Sequence, residues 1–273
     1  MYKIVVCDLD ETLIRLDRTI SDEDKAAVRA LKKAGVKFVP ATGRGYGSVD
    51  GTLKELGLYD EAGEYVISYN GGTITENKGH HLLHFEGIPF ALAEELYRRG
   101  LNYDVCVHVY TKDMVYAYHF VQEEIDYLAG RMEVREVFDK NLDFLKGQEI
   151  VKCLYMNTDY SYLQRIAREL EDITGGIDVS YSANRYIEFN RRGVNKGEGL
   201  RRLASFLGVD MADTIAIGDN YNDLPMIQAA GLGVGVRNTV EAMKKDCDYV
   251  TQGTCDENAV SEVINRFILN PVQ

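Results

Sequence analysis

Residues 5–14 read Val5-Val6-Cys7-Asp8-Leu9-Asp10-Glu11-Thr12-Leu13-Ile14. An apolar run from Ile4 to Cys7 stops abruptly at Asp8, Asp10 and Glu11, and apolar residues resume at Leu13 and Ile14. A short apolar run bounded in this way reads as a strand buried on both faces, as in a parallel sheet. Acids directly after such a strand admit two readings. Asp favours turns and caps, and its carboxylate is also a hard oxygen ligand for a cation. The rest of the sequence decides between them.

The same rhythm repeats downstream. Ser21 precedes Asp22-Glu23-Asp24 as a helix N-cap with acids in the first turn, Ala27, Val28, Leu31 and Ala34 form an apolar stripe, and Gly35 ends it. Val36 to Ala41 reads as the next strand, followed by Thr42-Gly43-Arg44 and a helix from Tyr46 to Leu56. Tyr65 to Tyr69 reads as a third strand, ending in Asn70-Gly71-Gly72. This βαβα alternation predicts an α/β fold with a parallel sheet.

The pattern then changes. Ile88 to Arg99 reads as helix, and Val105–Tyr110 with Met114–Phe120 as a hairpin. A short helix over Glu123–Ala129, a strand over Ile150–Met156, an amphipathic helix over Tyr162–Ile173 and a second hairpin turning near Asn184 follow. This α+β block reads as an insertion, giving a core of residues 1–83 and 191–273 and an inserted domain of residues 84–190. After Lys196 the first rhythm returns. The helix Gly199–Leu207 leads to the strand Thr214–Ile217 and to Gly218-Asp219-Asn220-Tyr221-Asn222-Asp223. Two short strands, Leu232–Val236 and Asp248–Val250, and a helix from Glu257 to Ile268 close the chain.

Composition narrows the class. The 273 residues suffice for one large α/β domain or two smaller ones, and 45% hydrophobic with 27% charged residues is ordinary for a soluble protein. No apolar run approaches the roughly 20 residues of a membrane span, and Met1-Tyr2-Lys3 with its short apolar run does not read as a signal peptide. A net charge of −12 without a basic stripe argues against nucleic acid as a partner. Five cysteines without C-x-x-C spacing read as free thiols in a reducing cytoplasm.

Every polar cluster above follows a strand, where open α/β sheets bind ligands. Asp8, Asp10, Asp219 and Asp223 would then share one sheet edge. Two unit charges 4 Å apart repel by about 4 kcal/mol at an effective dielectric near 20, so such a cluster needs a cation. Carboxylate and carbonyl oxygens suit Mg²⁺, which keeps waters and commonly binds a substrate phosphate. Thr42-Gly43 offers a hydroxyl and amides near a helix start, and Lys196 a point charge.

These residues resemble the four ordered motifs of the haloacid dehalogenase (HAD) superfamily: Asp8-Leu9-Asp10-Glu11-Thr12, Thr42, Lys196, and Gly218-Asp219 with Asn222-Asp223. Ala41-Thr42-Gly43-Arg44, Asn70-Gly71-Gly72 and Gly193-Val194-Asn195-Lys196-Gly197, with the insertion after the third strand, resemble its Cof-type branch of phosphatases. The resemblance implies a Rossmann-like core with an α+β type IIB cap that closes over the site and selects the leaving group. It implies Asp8 as nucleophile, forming an aspartyl-phosphate, and Asp10 as general acid and then base. Mg²⁺ would lie on Asp8, the Asp10 carbonyl and Asp219, supported by Asp223. Leu9 through its amide, Thr42, Gly43, Lys196 and Asn222 would hold the phosphate; Arg44, Asn70 and Gly71 lie on loops able to touch substrate. Glu11 departs from the commonest pattern, which has Gly there, and its side chain is expected at the cap hinge or pocket mouth.

The expected activity is therefore hydrolysis of small phosphate monoesters, sugar phosphates or phosphorylated cofactors. The partner is a small phosphorylated metabolite, without nucleic acid or membrane, and the protein a monomer or homodimer. A phosphomutase on the same scaffold and a non-catalytic phosphometabolite-binding protein stand as alternatives. His80, His81 and His84 read as a structural turn, Gly231-x-Gly233-x-Gly235 as a strand, and Tyr103, Tyr110, Tyr116 and Tyr118 mostly as sheet surface and core of the insertion.

Overall fold

The computed structural model describes residues 1–130, 132–182 and 184–271. The chain divides into two compact units, Met1–Phe85 together with the segment from Val194 onward, and Glu86–Gly193.

The first unit is built on a five-stranded parallel sheet in the order Tyr249–Val250, Leu232–Gly235, Thr214–Gly218, Ile4–Cys7, Lys37–Pro40. Ile4–Cys7 is central and fully buried. Its residues alternate between two cores. Val5 and Cys7 pack with Ile215 and Ile217 toward Val28 and Leu31 of the helix Asp22–Lys33 and toward Val260 and Val263 of the helix Ala259–Ile264. Ile4 and Val6 pack with Ala216 toward Leu200 and Leu203 of the helix Lys196–Leu207 and toward Met226. Burial on both faces is why this strand is a continuous apolar run.

Register positions the acids. Cys7 lies opposite Ile217 on one side and Pro40 on the other. Asp8 therefore leaves its strand beside Gly218, and Ala41-Thr42 leaves on the far side of the same edge. Neighbouring strands are about 4.8 Å apart, so three functional loops converge without any long-range folding of the loops themselves.

Two expectations are corrected here. Tyr65–Ser68 is not a ladder strand of the parallel sheet; it touches it through a single parallel bridge, Ala41 to Ile67. Instead it heads a three-stranded antiparallel sheet with Thr73–Glu76 and His81–Phe85. The stretch with the histidines is thus largely strand, His81–Phe85, and only His80 lies in the turn before it. Its order His-Leu-Leu-His-Phe has no period of two, and the pairing itself shifts register opposite Ile74 and Thr75. Likewise the expected helix Tyr46–Leu56 begins as a 3₁₀ turn, Tyr46–Val49, before the α-helix Asp50–Leu56.

The second unit is a six-stranded sheet in the order Ile177–Ser182, Tyr186–Arg191, Ile150–Met156, Cys106–Thr111, Val115–Tyr118, Val134–Val137. All its pairs are antiparallel except the last. Val134–Val137 escaped the sequence reading because its central Arg135 and Glu136 are exposed on an edge. One sheet face packs Val107, Val109, Cys153, Tyr155, Ile187 and Phe189 against Leu96 and Leu163 of the helices Phe90–Gly100 and Tyr160–Glu169. The other face buries polar groups: Lys152 pairs with Glu188, and the Tyr186 hydroxyl donates to Glu124 Oε1 at 2.7 Å. Of the four tyrosines, Tyr110 and Tyr116 are buried. Among the described residues no helix is long and apolar enough to cross a membrane.

The unit has its own apolar core, so damage to that core is read in the unfolding of this unit. Phe189 is fully buried and meets the Tyr155 ring edge-on at 4.9 Å. Phe189→Ala is expected to lower stability by about 3–5 kcal/mol in guanidinium unfolding; a loss below about 1 kcal/mol would show that this core is not tightly packed.

Candidate active site

The two central strands deliver the acids as register demands. Oxygens of Asp8, Asp219 and Asp223 all lie within 4.8 Å of one another, and all three residues are buried. Gly218 makes this closeness possible: a Cβ there would lie 2.4 Å from the Asp223 Cβ. Asp223 Oδ2 accepts from the Asp219 amide at 2.9 Å and the Asn220 amide at 3.1 Å. Thr12 donates its hydroxyl to Asp219 Oδ1 at 2.9 Å, a role the sequence did not single out.

Lys196 is fully buried at the first position of the helix Lys196–Leu207, behind the N-cap Asn195. Its ammonium donates to Asp8 Oδ1 and, at 2.6 Å, to Asp223 Oδ1. It is a buried cation held between two carboxylates, and they raise its pKa further against the opposing effect of burial. Gly71, at φ 99, passes so close to this helix start that a Cβ would sit 2.3 Å from the Asn195 carbonyl oxygen. Only glycine fits there.

One ammonium against three carboxylates leaves the cluster short of positive charge. Burial, offset in part by Lys196, pushes the Asp8 carboxyl up to about 7. Burial, then the Asp8 and Asp223 charges, push Asp219 up to about 8. The oxygen-only donor set, its tight spacing and its unmatched negative charge fit a hard divalent cation such as Mg²⁺. Among the described residues this is the single group of three or more metal-competent side chains; the histidines form none.

Asp10 is placed differently. Its carboxylate lies outside the acid triad and is gripped by both ends of Arg44, with Nε donating to Oδ2 at 2.9 Å and Nη2 to Oδ1. The resemblance assigned metal binding at this position to the main-chain carbonyl, which does not involve the side chain. The strand ends at Cys7, so Asp8 and Asp10 both lie beyond it, on the loop. On the second loop Thr42 is buried, and its hydroxyl accepts from the Arg44 amide at 3.1 Å while its proton stays available to a ligand. Gly43 runs beside Asn70, and Asn70 Oδ1 accepts from Asn222 Nδ2 at 3.3 Å. Thus Thr42, Gly43, Arg44, Asn70, Gly71 and Asn222 form one polar rim, while Leu9 anchors the first loop by accepting from the Leu13 and Ile14 amides at 3.1 and 2.7 Å. No α-helix starts at Thr42-Gly43; the 3₁₀ turn intervenes.

Glu11 has φ 60, the left-handed region. Backbone geometry, more than a place at the pocket mouth, explains why glycine suits this position. Left-handed backbone costs an L-residue about 1–2 kcal/mol, and glycine's extra unfolded-state freedom costs about 0.5–1 kcal/mol. Glu11→Gly is therefore expected to raise stability by about 0.5–1 kcal/mol in chemical unfolding; a clear loss of stability would show that the side chain itself stabilises the loop.

The raised carboxyls also set a pH dependence. A folded pKa above the unfolded value gives stability that is present at low pH and lost as pH rises through the folded value. With the divalent ion chelated, the melting temperature is expected to fall as pH rises from about 5 through 7–8, and added Mg²⁺ should oppose the fall. A chelated protein whose melting temperature rises over that window would contradict the crowding of these acids.

Comparison with known proteins gives the family. A family model described as haloacid dehalogenase-like hydrolase matches residues 5–264. The phosphatase YwpJ of Bacillus subtilis is 26% identical, over 97% of this chain and 100% of its own. The HMP-PP phosphatase of Yersinia pseudotuberculosis is 26% identical, over 99% of this chain and 97% of its own. The crystal structure of a haloacid dehalogenase-like hydrolase from Bacteroides thetaiotaomicron superposes with a TM-score of 0.88 at 30% identity, covering 98% of this chain and all of that one.

Proposed function

This chain belongs to the haloacid dehalogenase-like hydrolase family and is a hydrolase of phosphate esters, and we propose that it is a Mg²⁺-dependent phosphatase of small phosphate monoesters working through an aspartyl-phosphate. The observation that carries the reading is the buried cluster of Asp8, Asp219 and Asp223 around Lys196.

Asp8 attacks phosphorus through a carboxylate oxygen. The phosphorus–oxygen bond to the leaving group breaks as the new one forms, and Asp10 gives its proton to the departing alkoxide. Asp10 then takes a proton from water, whose oxygen attacks phosphorus, releasing inorganic phosphate and regenerating Asp8. Lys196 matters twice: it favours the ionised Asp8 nucleophile and neutralises phosphate charge. Thr42, Gly43, Asn222 and the Leu9 amide orient the phosphoryl oxygens, so most of the rate comes from positioning and preorganised charge. Asp8, Asp219 and Asp223, with the Asp10 carbonyl, would hold Mg²⁺, which would supply the neutralisation that lets an anionic nucleophile meet an anionic phosphate. Arg44 holds both Asp10 oxygens in the resting geometry, so taking up a proton breaks at least one of these bonds.

The same reading assigns choice of the leaving group to the inserted unit, with sugar phosphates or phosphorylated cofactors as the substrate class; an HMP-PP phosphatase among the relatives supports small phosphorylated compounds as the class. Five free thiols support a reducing, cytoplasmic setting.

Phosphate release from para-nitrophenyl phosphate and a sugar-phosphate panel tests this directly. Release is expected to require Mg²⁺ and to drop by at least about 10³-fold in Asp8→Asn, which keeps the shape and removes the nucleophile. No release from any compound by the wild type, or equal release by Asp8→Asn, would remove the proposal.

A further inference from the structure

The strand Leu232–Gly235 is followed by Val236-Arg237-Asn238-Thr239-Val240, a segment with no part in the chemistry above. It nevertheless bonds to both acid-bearing loops. Val236 and Thr239 reach the Gly218 carbonyl, from the amide at 3.2 Å and the hydroxyl at 3.0 Å, and the Val240 amide donates to the Asp219 carbonyl at 2.9 Å. Toward the other loop, Asn238 Nδ2 donates to the Glu11 carbonyl at 2.8 Å, and Asn238 Oδ1 accepts from the Cys255 amide at 2.9 Å. An amide N–H can only donate and a carbonyl can only accept, so the two partners fix which way the Asn238 side chain points.

We propose that Asn238 is a positioning residue for Asp10: by holding the Glu11 carbonyl it keeps the backbone that carries Asp10 in its left-handed turn. The inference rests on the reading of Asp10 as the general acid and base. Glu11 at φ 60 is disfavoured for a residue with a side chain, so something must hold it there. On one side its amide donates to the Ile14 carbonyl at 3.0 Å. On the other, Asn238 holds its carbonyl, and the next residue, Thr12, is tied to Asp219. A hydrogen bond's net stabilisation is similar in size to the cost of left-handed backbone. Its loss lets Glu11 relax toward negative φ, which turns the Asp10–Glu11 peptide and displaces the acid. Asp8 and Asp219 keep their places, because the parallel ladder and the Thr239 and Val240 bonds hold their strands independently.

The two substrates of the test differ in their need for an acid. Para-nitrophenolate leaves without protonation, whereas a sugar alkoxide requires it. kcat/KM covers the steps through cleavage of the phosphorus–oxygen bond, so the ratio of kcat/KM for the fastest sugar phosphate to that for para-nitrophenyl phosphate reads the acid alone. Measured on the full chain with Mg²⁺, this ratio is expected to fall about tenfold or more in Asn238→Ala and Asn238→Asp, and likewise in Asp10→Asn. Asn238→Asp retains the acceptor for Cys255 while removing the donor to Glu11, so it carries the test if Asn238→Ala folds poorly. Equal loss on both substrates, or no loss, in the Asn238 variants while Asp10→Asn lowers the ratio would overturn the inference and leave the acid role of Asp10 intact. An unchanged ratio in Asp10→Asn would overturn that role itself, and the inference with it.

Discussion

Three carboxylates and one ammonium share the ends of two neighbouring parallel strands, and their electrostatics govern the rest of the site. Asp8, Asp219 and Asp223 are closer than unscreened charges tolerate, and Lys196 offsets only one of them. Such a cluster survives burial because the protein holds it rigidly. Asp8 is fixed by the ladder through Cys7 and Ile217, Asp223 by two amides, Asp219 by Thr12, and Lys196 by the capped start of its helix. The stored repulsion is useful. A site that strains to be neutralised suits a hard divalent cation.

The fold provides this arrangement at little expense in loop ordering. Because the strands are parallel and flush, every connecting segment that matters emerges at one edge. The first loop brings Asp8 and Asp10, the second Thr42 to Arg44, and the loop after Thr214–Gly218 brings Asp219 to Asp223. Even Asn238, far from the chemistry in sequence, lies just beyond the next strand of the same edge. The inserted unit has a separate sheet and core of its own.

Much of this was legible before any coordinates. Ile4–Cys7 and Thr214–Gly218 announce themselves because a strand buried on both faces has no polar positions, and acids at its end then stand out. Ser21 and Gly35 bracket a helix for equally local reasons. What stayed hidden depends on partners distant in sequence or on backbone angles. The grip of Arg44 on Asp10 spans 34 residues, and that of Asn238 on Glu11 spans 227. The positive φ of Glu11 leaves no trace in composition, except that a residue with a side chain stands where glycine is usual. His81–Phe85 was hidden for another reason: His-Leu-Leu-His-Phe has no period of two, because the pairing shifts register within it.

The central claim is that Asp8 is a nucleophile that carries a phosphoryl group in a cation-dependent pocket. Beryllofluoride, a stable mimic of a phosphoryl group on a carboxylate, tests it without requiring the natural substrate. With Mg²⁺, the wild-type protein should form one adduct per chain, visible by fluorine NMR, and the adduct should vanish on chelation and in Asp8→Asn. An adduct that persists in Asp8→Asn, or none in the Mg²⁺-loaded wild type, would contradict the account.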